Sequence, residues 1–227
     1  TNINDQVDRV LSVHNTNLFF YVNDTNQLGD VYCAAKGSST NYGTSPDSPL
    51  LSLQDMIDRY DLGGGDVVYV DTGSYLLTNT VTIGMADAPT GSVPLMIRGS
   101  TNEAYGGSLF DMLDYHANVM TVNAAPKIQI SDLTLTRGSH GLYVFSSPGF
   151  EAYRVISRNN SGYGYFVQGS SHNSSFDHCL GTGNGDYNLR LDTATNNACR
   201  NCVFWGTRGL FVNAGKIGVS NSILRTS

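Results

Sequence analysis

The second half of the chain repeats one short pattern, and this repeat limits the possible folds more than any other feature. Five copies begin in succession, at Ile128, Phe150, Ser174, Asn197 and Ile217. Each complete copy passes through a turn rich in Gly and Asn into a short alternating run of apolar residues. A period of about 22 residues is too short for a propeller blade and lacks the spacing of a leucine-rich repeat. It is long enough for three short strands and three turns, which form one coil of a parallel β-helix.

The composition supports the same class of fold. Charged residues make up 14% of the chain, whereas an average soluble protein has about 25%. The 25 Gly residues and the 40% of apolar residues exclude a disordered chain, a coiled coil and collagen. No run of about 18 apolar residues occurs, so no membrane span is predicted. The many short apolar runs between turns favour an all-β protein.

The charge is unevenly distributed along the chain. A net charge of −6 argues against nucleic acid as the main partner. Residues 1–127 contain 5 Lys and Arg against 14 Asp and Glu, whereas residues 128–227 contain 8 against 5. The second half is therefore basic and suited to an anionic ligand. The alternative is that its basic residues are solvated turn positions.

Two segments of the first half carry motifs of a known family. Gly65–Tyr75 (GDVVYVDTGSY) and Pro94–Ser100 (PLMIRGS) are similar to the opening coils of the pectate-lyase-like superfamily, whose right-handed β-helix repeats the later copies resemble. Before them, residues 48–60 have apolar residues at helical spacing after a Ser-Pro start signal. The resemblance implies an all-β fold, a right-handed single-stranded parallel β-helix with an N-terminal capping α-helix over residues 48–60.

The same resemblance divides the chain into two parts. Residues 1–64 are predicted to form an N-terminal strand and the capping region, and residues 65–227 the coils of the β-helix. The strand-like pattern at residues 223–227 ends in the middle of a coil, so we expect the chain to be a piece of a longer polypeptide. The polar start without a signal-peptide pattern indicates a processed or trimmed N-terminus.

One position in each repeat lies between two strands and carries a polar or charged residue. These residues are Asp132, Arg154, His178, Asn201 and Asn221. Because Asn tolerates the left-handed backbone of a tight turn, the pattern predicts a stacked corner. For His178 the alternative is a catalytic or ligand-binding role.

Three of the four cysteines occupy positions that are expected to face the core. Cys179 and Cys202 directly follow the corner, and Cys199 aligns with Phe176. The Cys-x-x-Cys spacing suggests a zinc or redox site, with Cys179 and His178 as further ligands. A stacked pair of core cysteines, free or bridged, is the preferred interpretation, so no metal site is predicted.

The alternating runs place aromatic and polar side chains on one outer face. The candidate ligand-binding residues on this face are Tyr69, Asp71, Tyr143, Phe145, Phe166, Gln168, Arg190, Asp192, Phe211 and Asn213. Aromatic faces stack on sugar rings, and planar polar groups bond hydroxyls and carboxylates. In the family that the sequence resembles, this strand face commonly forms a polysaccharide groove. The alternative is that the aromatic residues pack beneath a loop or against another domain.

A second outer face is apolar. It carries one residue from each of four repeats, namely Ile156, Leu180, Val203 and Ile223. A strand that is apolar on both faces is usually covered. We therefore expect this face to pack against another domain or subunit.

Few residues are candidates for catalysis. Arg190 beside Asp192 is the best pair for a base and its partner, and the alternative is a surface ion pair of little effect. No acidic cluster resembles a calcium cage, and the Asx-rich stretch Asn23–Asp30 is interpreted as a turn, with calcium binding as the alternative. We predict no cofactor and transfer no catalytic residue from the family.

Together these features predict an extracellular β-helix domain, secreted or at a cell surface of the bacterial type. The predicted function is to bind a polysaccharide along the aromatic face, and the basic second half favours an acidic one. The first alternative is a non-catalytic structural or adhesive module of a large surface or filament protein. The second is part of a polysaccharide lyase whose catalytic coils lie beyond Ser227.

Overall fold

A computed structural model describes residues 18–226, and these residues form a parallel β-helix. The strands lie in three sheets, and each strand pairs in parallel with its equivalent in the next coil. One short α-helix, α1 (Leu53–Arg59), precedes the coils, and two 3-10 turns lie at Met85–Asp87 and Glu103–Tyr105. The all-β fold expected from the repeat is confirmed.

The strands are numbered in chain order and fall into sheets A, B and C. Sheet A contains β1 (Phe19–Val22), β2 (Val67–Val70), β5 (Leu95–Gly99), β8 (Ile128–Ser131), β11 (Glu151–Tyr153), β14 (Ser175–Asp177), β17 (Asn197–Arg200) and β20 (Ile217–Ser220). Sheet B contains β3 (Gly73–Leu76), β6 (Ser108–Asp111), β9 (Leu133–Thr136), β12 (Ile156–Arg158), β15 (Leu180–Thr182), β18 (Val203–Gly206) and β21 (Ile223–Thr226). Sheet C contains β4 (Val81–Ile83), β7 (Met120–Asn123), β10 (Leu142–Phe145), β13 (Tyr165–Gln168), β16 (Tyr187–Asp192) and β19 (Arg208–Asn213).

The inward side chains of the strands stack in columns along the axis. One column of sheet A runs through Val68, Ile97, Ile130, Ala152, Phe176 and Cys199, all of them buried. Each fully buried Val, Leu, Ile or Phe side chain contributes about 1.5–3 kcal/mol to stability. Because these columns fill the interior, a ligand has to bind on the outside of the helix.

One polar or charged corner residue lies between the strands of sheet A and sheet B in each of five coils. All five predicted corner residues have a left-handed backbone, with φ between 46° and 59°. Side chains link successive corners: Arg154 Nε donates to Asp132 Oδ1 at 2.5 Å, and Asn221 Nδ2 donates to Asn201 Oδ1 at 2.6 Å. The stacked corner is confirmed, and His178 belongs to it.

The N-terminal end of the β-helix is covered by α1, which is shorter than predicted. Ser52 is its N-cap, and the Ser52 hydroxyl accepts a bond from the amide of Asp55 at 3.2 Å. The residues before it are extended, because the Leu50 amide donates to Tyr21 O at 2.9 Å in a pairing with β1. The prediction that the helix begins at residue 48 is therefore wrong. Its buried residues include Met56 and belong to the core.

The three cysteines of the repeats are buried free thiols. Cys179 and Cys202 lie in equivalent positions of adjacent coils, and Cys199 faces the same part of the core. A hydrogen bond with Cys179, together with burial, raises the pKa of the Cys202 thiol to about 12. The cysteines therefore act as small apolar residues, as predicted.

Candidate functional site

The outer face of sheet C brings most of the predicted ligand-binding residues together. Its first row is Thr121, Tyr143, Phe166, Arg190 and Phe211. Its second row is Asn123, Phe145, Gln168, Asp192 and Asn213. Adjacent strands are about 4.8 Å apart, so equivalent side chains of successive coils touch. The registers of β10, β13, β16 and β19 are those that the alternating pattern predicted.

Three further aromatic residues join this face, two from the turns that precede the strands and one from the first residue of β16. They are His140, Tyr163 and Tyr187, and the sequence analysis did not include them. Each lies two residues before the first inward residue of its strand, in His-Gly-Leu, Tyr-Gly-Tyr and Tyr-Asn-Leu. His140 and Tyr163 lie in turns, which have no strand period, but the recurrence of a ring at this position was a usable signal. We call the seven rings Tyr143, Phe145, Phe166, Phe211, His140, Tyr163 and Tyr187 the aromatic surface.

The rings of the aromatic surface contact one another continuously across the coils. The Tyr143 and Phe166 rings stack with centroids 5.1 Å apart, and the Tyr163 and Phe166 centroids are also 5.1 Å apart. Tyr187 and Phe211 extend the surface, with centroids 4.9 Å apart. Such contacts hold the rings in place and favour a preformed platform over separate mobile side chains.

Arg190 lies at the centre of the aromatic surface. Its Nη2 donates to Asp192 Oδ2 at 2.8 Å, and its Nη1 donates to the hydroxyl of Tyr163. Its Cζ lies 5.0, 5.3 and 5.5 Å from the ring centroids of Tyr163, Phe166 and Phe211. The guanidinium is thus held by a carboxylate, a hydroxyl and three ring faces.

This arrangement keeps Arg190 positively charged. The hydrogen bonds that Arg190 donates to the Asp192 carboxylate raise the pKa of Arg190 above its already high value. A group that holds its proton so strongly is poorly suited to abstract another one. The pair is therefore better suited to binding an anion or a polar sugar than to acting as base and partner.

His140 is neutral in this environment. Burial, and the nearby Arg190 cation, lower its pKa below the usual 6.5. Its Nδ1 accepts a bond from the Tyr163 amide at 3.0 Å, and its ring stacks on that of Tyr163 with centroids 4.7 Å apart. His140 therefore positions the turn that carries Tyr163, and its proton lies on Nε2.

A buried row of amides supports the same turns from inside. Asn160 Nδ2 donates to Asn184 Oδ1 at 2.9 Å, and Asn184 Nδ2 donates to Asn188 Oδ1 at 2.7 Å. These residues are at most 2% exposed. Since Asn188 directly follows Tyr187 at the start of β16, this amide ladder helps to fix the turn that bears Tyr163 and the strand start that bears Tyr187.

Tyr69 and Asp71 do not belong to the aromatic surface, and their predicted placement is wrong. Tyr69 lies on β2 in sheet A, where its ring contacts that of Tyr32 with centroids 4.7 Å apart. Asp71 is 0% exposed and accepts bonds from the amides of residues 31–33 at 2.6–2.8 Å. It anchors a loop. The run Val67–Val70 alternates like the strands of sheet C. The alternation alone therefore does not indicate which sheet the strand joins.

The Asx-rich stretch near the N-terminus forms turns. Asp24 Oδ1 accepts a bond from the Asn26 amide at 2.7 Å, and Asn23 Nδ2 donates to Asp30 Oδ2 at 2.7 Å. Within residues 18–226, no group of three or more His, Cys, Asp or Glu residues could hold a metal ion. In the same described range, no helix is long and apolar enough to cross a membrane.

The apolar face of sheet B is separate from the aromatic surface. Ile156, Leu180 and Val203 lie in register on adjacent strands, and all three are half-buried. Ile223 continues the row at its end and is exposed. Trp205 is 53% exposed beside them. The packing of this face against another domain or subunit stays a prediction.

Comparison with known proteins agrees with the architecture. The model of a family described as right-handed β-helix region matches residues 109–226. A pectate lyase of Emericella nidulans, PEL9, is 28% identical over 182 residues, which are 75% of this chain and 43% of that enzyme. The right-handed parallel β-helix that the sequence predicted is thereby confirmed.

Solved structures show the same fold. The crystal structure of pectate lyase Pel9A has a TM-score of 0.72 at 16% identity, over 92% of this chain and 54% of that one. A GH136 lacto-N-biosidase from Eubacterium ramulus has a TM-score of 0.52 at 13% identity, over 86% of this chain and 42% of that one. The chain thus spans about half of the length of the relatives that it matches.

Proposed function

Because the chain belongs to the family of right-handed β-helix proteins, we propose that it binds a polysaccharide along the aromatic surface of sheet C. The observation that carries this proposal is the position of Arg190, which is held by Asp192 and Tyr163 among three ring faces. Ring faces suit the apolar faces of sugars, and a fixed guanidinium suits their hydroxyls and carboxylates. Such a role places the protein outside the cell, either secreted or at the cell surface.

The shape of the surface favours a polymer over a small ligand. Equivalent side chains recur in five consecutive coils, at the strand spacing of about 4.8 Å. A binding surface whose side chains repeat along one axis suits a polymer whose sugar units repeat along its length. The similarity to proteins named pectate lyase supports an acidic polysaccharide, as does the basic second half of the chain.

Binding without catalysis is the form of the function that the geometry favours. Asp192 is bonded to Arg190, and Asp186 in the adjacent turn is bonded to Arg208 Nη1 at 2.9 Å. Neither carboxylate is free to act as an acid or a base. Lyase activity is the second candidate, because the similar proteins PEL9 and Pel9A carry that name.

Affinity electrophoresis through gels that contain polygalacturonate tests this proposal. The wild-type protein should be retarded, and the double variant Tyr143→Ala/Phe166→Ala should migrate as it does in a plain gel. Tyr153→Ala is the matched control, since Tyr153 is a half-buried tyrosine on the outer face of sheet A. Equal retardation of the double variant and the wild type would refute the proposed surface. Release of an unsaturated uronate product by the wild type would establish lyase activity.

A further inference from the structure

We propose that a cleft on the sheet B side of the turns binds a carboxylate of the same acidic polysaccharide. This inference rests on the proposed function and extends its ligand beyond the aromatic surface. The cleft has a volume of about 730 Å³. It lies where β6, β9 and β12 end, and Tyr115, within the segment of residues 112–118, forms one wall.

The wall of the cleft is fixed to the coil beneath it. The amide of Met112 donates to Thr136 O at 3.1 Å, and the amide of Tyr115 donates to Arg137 O at 2.9 Å. Farther along, the Ser139 amide donates to the carbonyl at residue 117 at 2.7 Å. The cleft is therefore formed before a ligand arrives, so that binding does not have to order the wall.

The charge inside the cleft is positive. Arg137 Nε donates to Asp111 Oδ1 at 2.7 Å, and a second bond joins Arg137 Nη2 to Asp111 Oδ2. The only carboxylate among the lining residues is thus neutralised. Arg158, at the end of β12, is exposed and forms no salt bridge with any residue in the described part of the chain. One guanidinium remains for an incoming anion.

The chemistry of this guanidinium selects a planar anion. Its parallel N–H groups match the two oxygens of a carboxylate, as Arg137 and Asp111 already demonstrate beside it. The lining beside Arg158 includes the turn residues Asn159 and Gly183, both with positive φ.

The cleft and the aromatic surface share the same turns. Ser161 and Gly185 line the cleft, and two residues farther along the chain stand Tyr163 and Tyr187 of the aromatic surface. One polymer that crosses this rim can contact both sites. Arg158 would then hold a uronate carboxylate of a chain whose other rings lie on sheet C.

Amide shift mapping by NMR with digalacturonate locates this site independently of the aromatic surface. In wild-type protein the amides of Asn159, Ser161 and Gly183 should shift, and in Arg158→Gln they should not. Shifts confined to sheet C, around Phe166 for example, would overturn the inference and leave the proposed function intact. Equal shifts at the cleft with dextran sulfate would overturn the assignment to a carboxylate.

Titration with polygalacturonate supplies the second readout. Arg158→Gln should raise the Kd about tenfold, which is ~1.4 kcal/mol, with little change for fully methyl-esterified pectin. Arg98→Gln, an exposed arginine on sheet A, is the matched control and should bind like the wild type. An unchanged Kd in Arg158→Gln, with weakened binding in Tyr143→Ala/Phe166→Ala, would refute the cleft alone. Absence of binding by the wild type would instead refute the proposed function.

Discussion

At the scale of single residues, the site depends on one guanidinium whose orientation is fixed. Arg190 and Asp192 were predictable as neighbours on one face, because side chains two apart in a strand point the same way. The contact of Tyr163 with Arg190 was not predictable, because a turn residue follows no strand period. It depends on how the turn folds. For Asp71 the alternating pattern predicted an exposed carboxylate, whereas the side chain is buried under a loop.

Replacing Asp192 by Asn should weaken polysaccharide binding. Arg190 would lose the carboxylate that orients it, and a bond to a charged group contributes about 1.5–3 kcal/mol. We therefore expect at least about a tenfold rise in the Kd measured by isothermal titration calorimetry. Asp186→Asn, which removes a more exposed ion pair with Arg208, should change the Kd by less than about twofold. An unaltered Kd in Asp192→Asn would contradict the orienting role.

His140 should make stability depend on pH. Its pKa is lowered in the folded protein, so the unfolded chain binds a proton at higher pH than the folded one. The stabilisation is therefore complete above the unfolded pKa of about 6.5 and is lost as the pH falls below it. The difference in unfolding free energy between wild type and His140→Gln should shrink between about pH 7.5 and about pH 5.

Urea unfolding of both proteins across this range is the measurement. Other groups cancel in the comparison, including Asp87, whose pKa is raised by burial to about 6 and which titrates alike in both proteins. A difference that does not vary with pH would show that His140 does not titrate in this way.

At the scale of elements, the strands were predictable where the coils are regular in length. From residue 128 onward, one period fixes which residues face inward, and the registers follow. The earlier coils have longer and unequal connections, so the same alternation in β2 did not reveal its sheet. The predicted start of α1 was also wrong, because the pairing of Leu50 with β1 overrides the Ser-Pro helix signal.

The amide ladder makes a prediction about the turns. Asn184→Ala removes the middle member and leaves Asn160 and Asn188 without their buried partner, which costs about 1–3 kcal/mol for each unsatisfied group. The midpoint of urea unfolding should fall, and the polygalacturonate Kd should rise because the turn bearing Tyr163 and the start of β16, which bears Tyr187, loosen. Asn79→Ala, at an exposed bend, is the control. A lower midpoint with an unchanged Kd would mean that the ladder supports the fold but not the site.

At the scale of the whole molecule, a filled interior forces function onto the outer faces. The three sheets present three different surfaces: the corner-linked sheet A, the apolar row of sheet B and the aromatic surface of sheet C. The sequence predicted this division, because inward and outward residues alternate in every coil. It could not predict the cleft at Arg158, which depends on where residues 112–118 pack.

We propose that a polysaccharide binds across sheet C around Arg190. Calorimetric titration of Arg190→Gln with an oligogalacturonate, beside wild type and Arg98→Gln, tests it most directly. We expect a rise in Kd of at least about tenfold for Arg190→Gln, with Arg98→Gln indistinguishable from wild type and all three proteins folded by circular dichroism. If folded Arg190→Gln binds the oligosaccharide as tightly as the wild type, the aromatic surface is not the binding site.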